Sequence, residues 1–232
     1  MADATTVRAF GDWLLRAGAR RADSRIGLIE DLPESAGSIF PTCGLGRFLQ
    51  YLGKTNSPTI LDLGPAVGDN VTFLAKELGC KLIVEDLFAD IERAARDVQQ
   101  APVEQVAVLN GRLDHAPDSA DGVLCWDLFD YLDRPAAESV ARQIVRVLKP
   151  GGTVFGLFGD GCSGADCYTK YVVVDRERLE YRAYAATRGT RHAWRSRDVE
   201  KLFAGLTIGE TYLLKTRIRE MLFRKPLTAA RA

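Results

Sequence analysis

The chain has 232 residues, 31 Lys and Arg against 31 Asp and Glu, and an apolar fraction of 47%. That is enough for one well-filled domain, or one domain with a small appendage. No apolar run approaches the roughly 20 residues of a membrane span, and the start, MADATTVRAFGDW, lacks the basic-then-apolar pattern of a secretory signal, so a cytoplasmic protein is expected.

The cysteines, Cys43, Cys80, Cys125, Cys162 and Cys167, are odd in number and scattered, which fits reduced thiols rather than a disulfide framework. Cys162 and Cys167 flank Ser-Gly-Ala-Asp, but the histidines are only His115 and His192, and no metal site is expected. Residues 171–232 carry 14 Lys and Arg against 7 Asp and Glu. The Arg residues there are spaced singly, which suits locally paired surface charges better than one block for an anionic partner.

Residues 3–21 read as an amphipathic helix, with Val7, Phe10, Trp13, Leu14 and Ala17 on one stripe. Gly27, Pro33, Gly37 and Pro41 break up the next stretch, and a second helix is expected over 45–52. The run Thr59-Ile60-Leu61 then carries one acid, Asp62, into a turn with Gly64, Ala66 and Gly68. A helix follows from Asn70 to Leu78. Small residues in such a turn let a ligand approach the backbone, and the helix N-terminus offers unpaired N–H groups.

Lys81–Val84 is a short strand ending in Glu85-Asp86, about twenty residues past the turn. A carboxylate there can accept from both hydroxyls of a ribose. Neighbouring strand residues face opposite ways, so one of the two would do this, and the pattern leaves open which. A helix is expected over 90–99, a third strand over 103–109, and a fourth over 121–127. The next helix, 136–148, ends in Leu148-Lys149-Pro150-Gly151-Gly152, where glycine would stop it in a left-handed turn before a strand over 153–158. Residues 159–170 read as a loop. Then 171–175 and 179–184 form a hairpin in which Tyr168, Tyr181, Tyr184 and Arg188 are candidates for an acceptor pocket. A capping box at Ser196 would open a helix over 196–203, and strands over 206–215 and 218–224 close the chain.

The turn Asp62-x-Gly64-x-Ala66-x-Gly68 fits a dinucleotide G-x-G-x-x-G poorly, which sets aside a nicotinamide dehydrogenase. It resembles motif I of the class I S-adenosylmethionine (SAM) dependent methyltransferases, with Ala66 in place of the middle glycine. The acid after the second strand, the Asp121-Gly122-Val123 entry to the fourth and the Leu-Lys-Pro-Gly-Gly turn resemble the same family in the same order. The likeness covers residues 57–158 closely and 196–225 more loosely.

The resemblance implies an α/β, Rossmann-like class I methyltransferase fold. Its sheet is mostly parallel and seven-stranded, with helices on both faces and one antiparallel strand near the edge. Residues 1–56 would be a helical segment covering the site, or equally a dimer contact. Residues 57–232 would be the SAM-binding domain, with the hairpin inserted at about 168–186. The implied reaction is an in-line attack by an O, N, S or C nucleophile on the SAM methyl, leaving S-adenosylhomocysteine (SAH). The implied cofactor contacts are Asp62, Gly64, Pro65, Ala66, Gly68 and Asn70 around the turn, Glu85 or Asp86 on the ribose, Arg112 and Leu113 on the adenine, and Trp126 and Asp127 at the methionine arm. Asp127 is the candidate base, with His115 as the other titratable group near the site. The fourth strand ends in Cys125-Trp126-Asp127-Leu128, not in the Asn/Asp-Pro-Pro-aromatic motif of enzymes that methylate base amino groups or glutamine. A small-molecule acceptor is therefore the leading reading. The alternatives are an RNA or DNA methyltransferase using the basic C-terminal third, and a SAM-binding protein without turnover.

Overall fold

Period-two apolar patterning builds a sheet that is covered on both sides. In the computed structural model, which describes residues 37–96, 104–159, 167–185 and 191–227, the chain runs β1 (Ser38–Pro41), α1 (Gly44–Leu52), β2 (Thr59–Asp62), α2 (Gly68–Leu78), β3 (Lys81–Val84), α3 (Leu87–Arg96), α4 (Gln105–Leu109) and β4 (Ala120–Trp126). A 3₁₀ turn (Leu128–Tyr131) leads to α5 (Arg134–Val147), β5 (Leu148–Phe158), β6 (Cys167–Asp175), β7 (Arg178–Ala185), α6 (Ser196–Leu202), β8 (Thr207–Leu213) and β9 (Arg219–Arg224). All described residues belong to one compact unit, 34–232. The helix expected over 3–21, and Arg188, lie outside the described residues.

The main sheet has six strands in the order β3-β2-β4-β5-β9-β8. β2 pairs parallel with β3 and β4, and β4 with β5, while β9 runs antiparallel between β5 and β8. Alternate residues go to opposite faces. Leu61, Val123, Cys125, Val154, Met221 and Phe223 join the core under α3, α5 and α6. Ile60, Leu124, Trp126, Phe155 and Leu222 join the second core, under α1 and α2. This is the expected α/β architecture with helices on both faces.

Three finer expectations change. First, the third strand read over 103–109 is helix α4 where it is described, so the sheet has six strands among the described residues rather than seven. Its apolar residues Val106, Val108 and Leu109 satisfy either period, and tertiary hydrogen bonds decide between them. Gln105 donates to the Tyr131 carbonyl at 3.0 Å and accepts from the Asp133 N–H at 2.9 Å, and Gln143 of α5 donates to the Leu109 carbonyl at 2.9 Å. Second, no left-handed residue stops α5. Leu148 is already extended and pairs with Ala120, and the left-handed residue is Gly151, φ 80°, at the start of β5. The carbonyls of Val145 and Leu148 accept from Lys225 Nζ instead. Third, Ser196 is the first helical residue and makes no cap; its hydroxyl accepts from Arg219 Nη1 at 2.7 Å.

The hairpin forms a separate three-stranded antiparallel sheet, β1-β7-β6, joined by a strand from the region read as irregular. Its anchor on the main unit is Asn70 in α2, whose amide donates to the Tyr171 carbonyl at 2.8 Å and accepts from the Val173 N–H at 2.7 Å. Helix α1 begins on the buried Glu220 carboxylate of β9, which takes the N–H groups of Cys43 and Gly44 at 2.9 and 2.6 Å. An anion at a helix N-terminus satisfies donors that the helix itself leaves unpaired.

Candidate functional site

Three parallel strands end side by side, and each ends in an acid. Asp62 closes β2, Glu85 and Asp86 follow β3, and Asp127 follows β4. The C-terminal edge of such a sheet is where an open α/β fold binds ligands.

Asp62 is buried, and its Oδ1 accepts from the Gly64 N–H at 3.0 Å and from Trp126 Nε1 at 2.7 Å. Burial pushes its pKa up to about 6 against those two hydrogen bonds. Trp126 ends β4 with φ 49°, a left-handed conformation that a bulky residue adopts only when its surroundings hold it there. The indole lies over Gly64, so a Cβ at Gly64 would meet Trp126 Cδ1 at 2.4 Å. On the indole's far side Tyr171 stacks at 5.5 Å with an interplanar angle of 4°.

The remainder of the turn is open. A Cβ at Gly68 would meet nothing within 4 Å. Ala66 and Gly68 face Lys170, Val172 and Arg182 of the small sheet across a cleft of about 230 Å³. Pro65 is half-buried beside it. The Asn70 amide is committed to β6, as described above.

Glu85 and Asp86 differ sharply. Glu85 is held at both oxygens, by Arg112 Nη1 at 2.7 Å and His115 Nε2 at 2.7 Å. Asp86, with φ 43°, accepts from the Ala89 N–H at 3.1 Å, and burial raises its pKa. Arg112 also binds Asp90 at 2.6 Å. Leu113 lies in the core, its N–H donating to Gln143 Oε1 and its carbonyl accepting from Arg146 Nη2. The structure therefore places Arg112 and His115 around Glu85, and keeps Leu113 away from the cleft.

The fit to the cofactor implied by the resemblance follows from this geometry. Asp86 and the open backbone at Ala66–Gly68 suit a ligand with vicinal hydroxyls that lies across the strand ends. At Gly64 the close approach is made by the buried Trp126 itself, so the bare backbone open to such a ligand is that of Ala66–Gly68.

Beyond Trp126 lies a constellation that the sequence reading passed over. Asp127 and Asp130 are buried, and Arg191 Nη2 binds an oxygen of each, at 3.2 and 3.1 Å. The Gly159 N–H donates to Asp130 at 2.9 Å. Burial, aided by Asp130, pushes Asp127 to about 7 against Arg191 and Tyr171, and burial pushes Asp130 to about 6. Tyr131, Tyr168 and Tyr171 are buried alongside. The one sequence signal was the three-residue spacing of two acids in Asp127-Leu128-Phe129-Asp130-Tyr131; nothing local points to Arg191.

A family model described as a methyltransferase domain matches residues 60–152. Sarcosine/dimethylglycine N-methyltransferase of Halorhodospira halochloris is 29% identical over 127 residues, 52% of this chain and 44% of that protein. The chain thus matches less than half the length of this curated relative. Among solved structures, 1,6-didemethyltoxoflavin-N1-methyltransferase of Burkholderia thailandensis is 16% identical, with 79% of each chain covered and a TM-score of 0.47. A S-adenosylmethionine-dependent methyltransferase from Clostridium acetobutylicum ATCC 824 is 14% identical, with 79% of this chain and 91% of that one covered and a TM-score of 0.48.

Proposed function

From the match of residues 60–152 to a methyltransferase-domain family model, we propose that the chain transfers a methyl group from SAM to a small-molecule acceptor. The observation that carries this reading is the convergence of Asp62, Asp86 and Trp126-Asp127 at one sheet edge around the glycine turn. A relative named for N-methylation of sarcosine and dimethylglycine supports a small acceptor over a nucleic acid.

Bound SAM supplies a methyl on a positively charged sulfur, a good leaving group, so the protein's work is mainly alignment and exclusion of water. Asp86 accepts from the ribose hydroxyls, because the Glu85 oxygens are held by Arg112 and His115. The backbone of Ala66–Gly68 and the first turn of α2 line the cleft. Asp62 orients Gly64 and the Trp126 indole. Asp127 stands next to Trp126 on the acceptor side.

Isothermal titration with SAM, SAH and NADH tests this. Micromolar binding of the two sulfur ligands and none of NADH is expected. Asp86→Asn should weaken SAH binding by about tenfold or more, the loss of a charge-assisted hydrogen-bond pair, whereas Glu85→Gln should change it by less than that. Absence of heat with both sulfur ligands would remove the reading.

A further inference from the structure

The Asp127–Asp130–Arg191 cluster leaves two buried carboxylate oxygens without a donor. Arg191 Nη2 binds Oδ2 of each carboxylate. The other oxygens, Asp127 Oδ1 and Asp130 Oδ1, are buried and have no hydrogen-bond partner. Arg219 also acts on Asp130 electrostatically, yet neither cation reaches these two oxygens, and a buried acceptor without a donor is costly. The hydroxyl of Tyr181 is a third buried polar atom without a partner, and it stands within electrostatic reach of Asp127.

The walls are aromatic. The Arg191 guanidinium sits 5.0 Å from the Tyr131 ring centre. Tyr131 packs edge-on against Tyr168 at 4.7 Å, and Tyr171 lies flat on Trp126. Carboxylate oxygens lacking donors beside electron-rich rings suit a ligand that is positively charged and carries N–H groups. The C-terminal end of β4, where the cluster sits, is also the acceptor side of the methyl-transfer reading.

Resting on that reading, we propose that the methyl acceptor is an amine, bound as its ammonium form by Asp127 Oδ1 and Asp130 Oδ1 against the Tyr131 and Tyr171 rings. Asp127 takes one ammonium proton and so exposes the nitrogen lone pair. The nitrogen then bonds to the methyl carbon, the carbon–sulfur bond breaks, and its electron pair passes to sulfur. The products are a methylated ammonium and the neutral thioether SAH, and Asp127 returns its proton to solvent. The groups facing Asp127 are Asp130 and Tyr131 from the 3₁₀ turn, Tyr171 from β6, Tyr181 and Tyr184 from β7, and Arg191. Burial among them lifts the Asp127 pKa to about 7, matched to accepting a proton near neutral pH.

The test uses the full chain and methyl-labelled SAM. Methylamine, glycine, benzylamine and N-methylbenzylamine are compared with phenol, benzoate and benzyl mercaptan, and titration into the SAH-loaded protein reads binding of the same compounds. Label should reach the nitrogen of at least one amine and none of the oxygen or sulfur compounds. Asp127→Asn and Asp130→Asn should each lower kcat/KM for that amine at least a hundredfold, while the SAH affinity of Asp130→Asn, which also reports folding, stays within threefold. Tyr131→Leu should act mainly on KM. Label on oxygen or sulfur, full activity in both Asn variants, or amines neither methylated nor bound overturns the proposal and leaves methyl transfer standing. Loss of SAM and SAH binding in the wild type strikes the methyl-transfer reading itself.

Discussion

Gly64 shows how a single atom constrains the site. An added Cβ would lie 2.4 Å from Trp126 Cδ1, with Asp62 Oδ1 at 3.2 Å. The indole cannot swing aside cheaply, because Asp62 holds its N–H and Tyr171 covers its far face. Gly64→Ala should therefore cost about 1–3 kcal/mol, the range for overpacking a filled interior. In a Trp126→Ala background most of that cost should disappear. Urea denaturation of the four proteins in the cycle measures the coupling; additive losses would mean that Trp126 is not what Gly64 accommodates.

At the scale of elements, one side chain ties helix α2 to the small sheet. The Asn70 amide closes two hydrogen bonds with β6 backbone, at Tyr171 and Val173. No ladder links β6 to the main sheet, since it pairs with β7. Asn70→Ala leaves a buried carbonyl and N–H without these partners and should cost about 1–3 kcal/mol. Loosening should concentrate in β6, so hydrogen exchange at Val173 should speed up far more than at Val154 in β5. Equal acceleration at both would show that the amide stabilises the whole unit rather than the junction.

For the whole molecule, buried and exposed acids pull stability in opposite directions with pH. Asp62, Asp127 and Asp130 have folded pKa values of about 6, 7 and 6. Each binds its proton more tightly folded than unfolded, so its contribution is complete below about pH 4 and is lost as pH rises through those values. Glu210, held down at about 2 by hydrogen bonding to Arg47, and Asp175, held below the usual range by Arg178, act the other way. Their contribution is present above about pH 4.5 and lost in acid, and it is small because these pairs are exposed. Stability should be highest near pH 4, fall between about pH 4 and 7, and level off above that. Asp127→Asn should flatten the decline between about pH 4 and 7, the window between that residue's unfolded and folded values. Urea midpoints at fixed ionic strength read the curve, and a variant with the wild-type slope would remove Asp127 from the account.

Much of this molecule was legible in its sequence because the deciding physics is local. Strand β2, the Gly64–Gly68 turn and α2 follow from apolar period and turn chemistry within about twenty residues. The acids after β2, β3 and β4 follow from strand ends that the same patterning marks. Local pattern could not choose between helix and strand for residues 105–109, because the choice came from Gln105 and Gln143 bonding to distant backbone. It also left Glu85 and Asp86 equivalent, and only the fold brings Arg112 and His115 onto Glu85. Arg191 meets Asp127 across 64 residues of chain. A buried charge cluster of that kind is created by tertiary packing, which removes water from groups whose sequence neighbours say nothing about their partners.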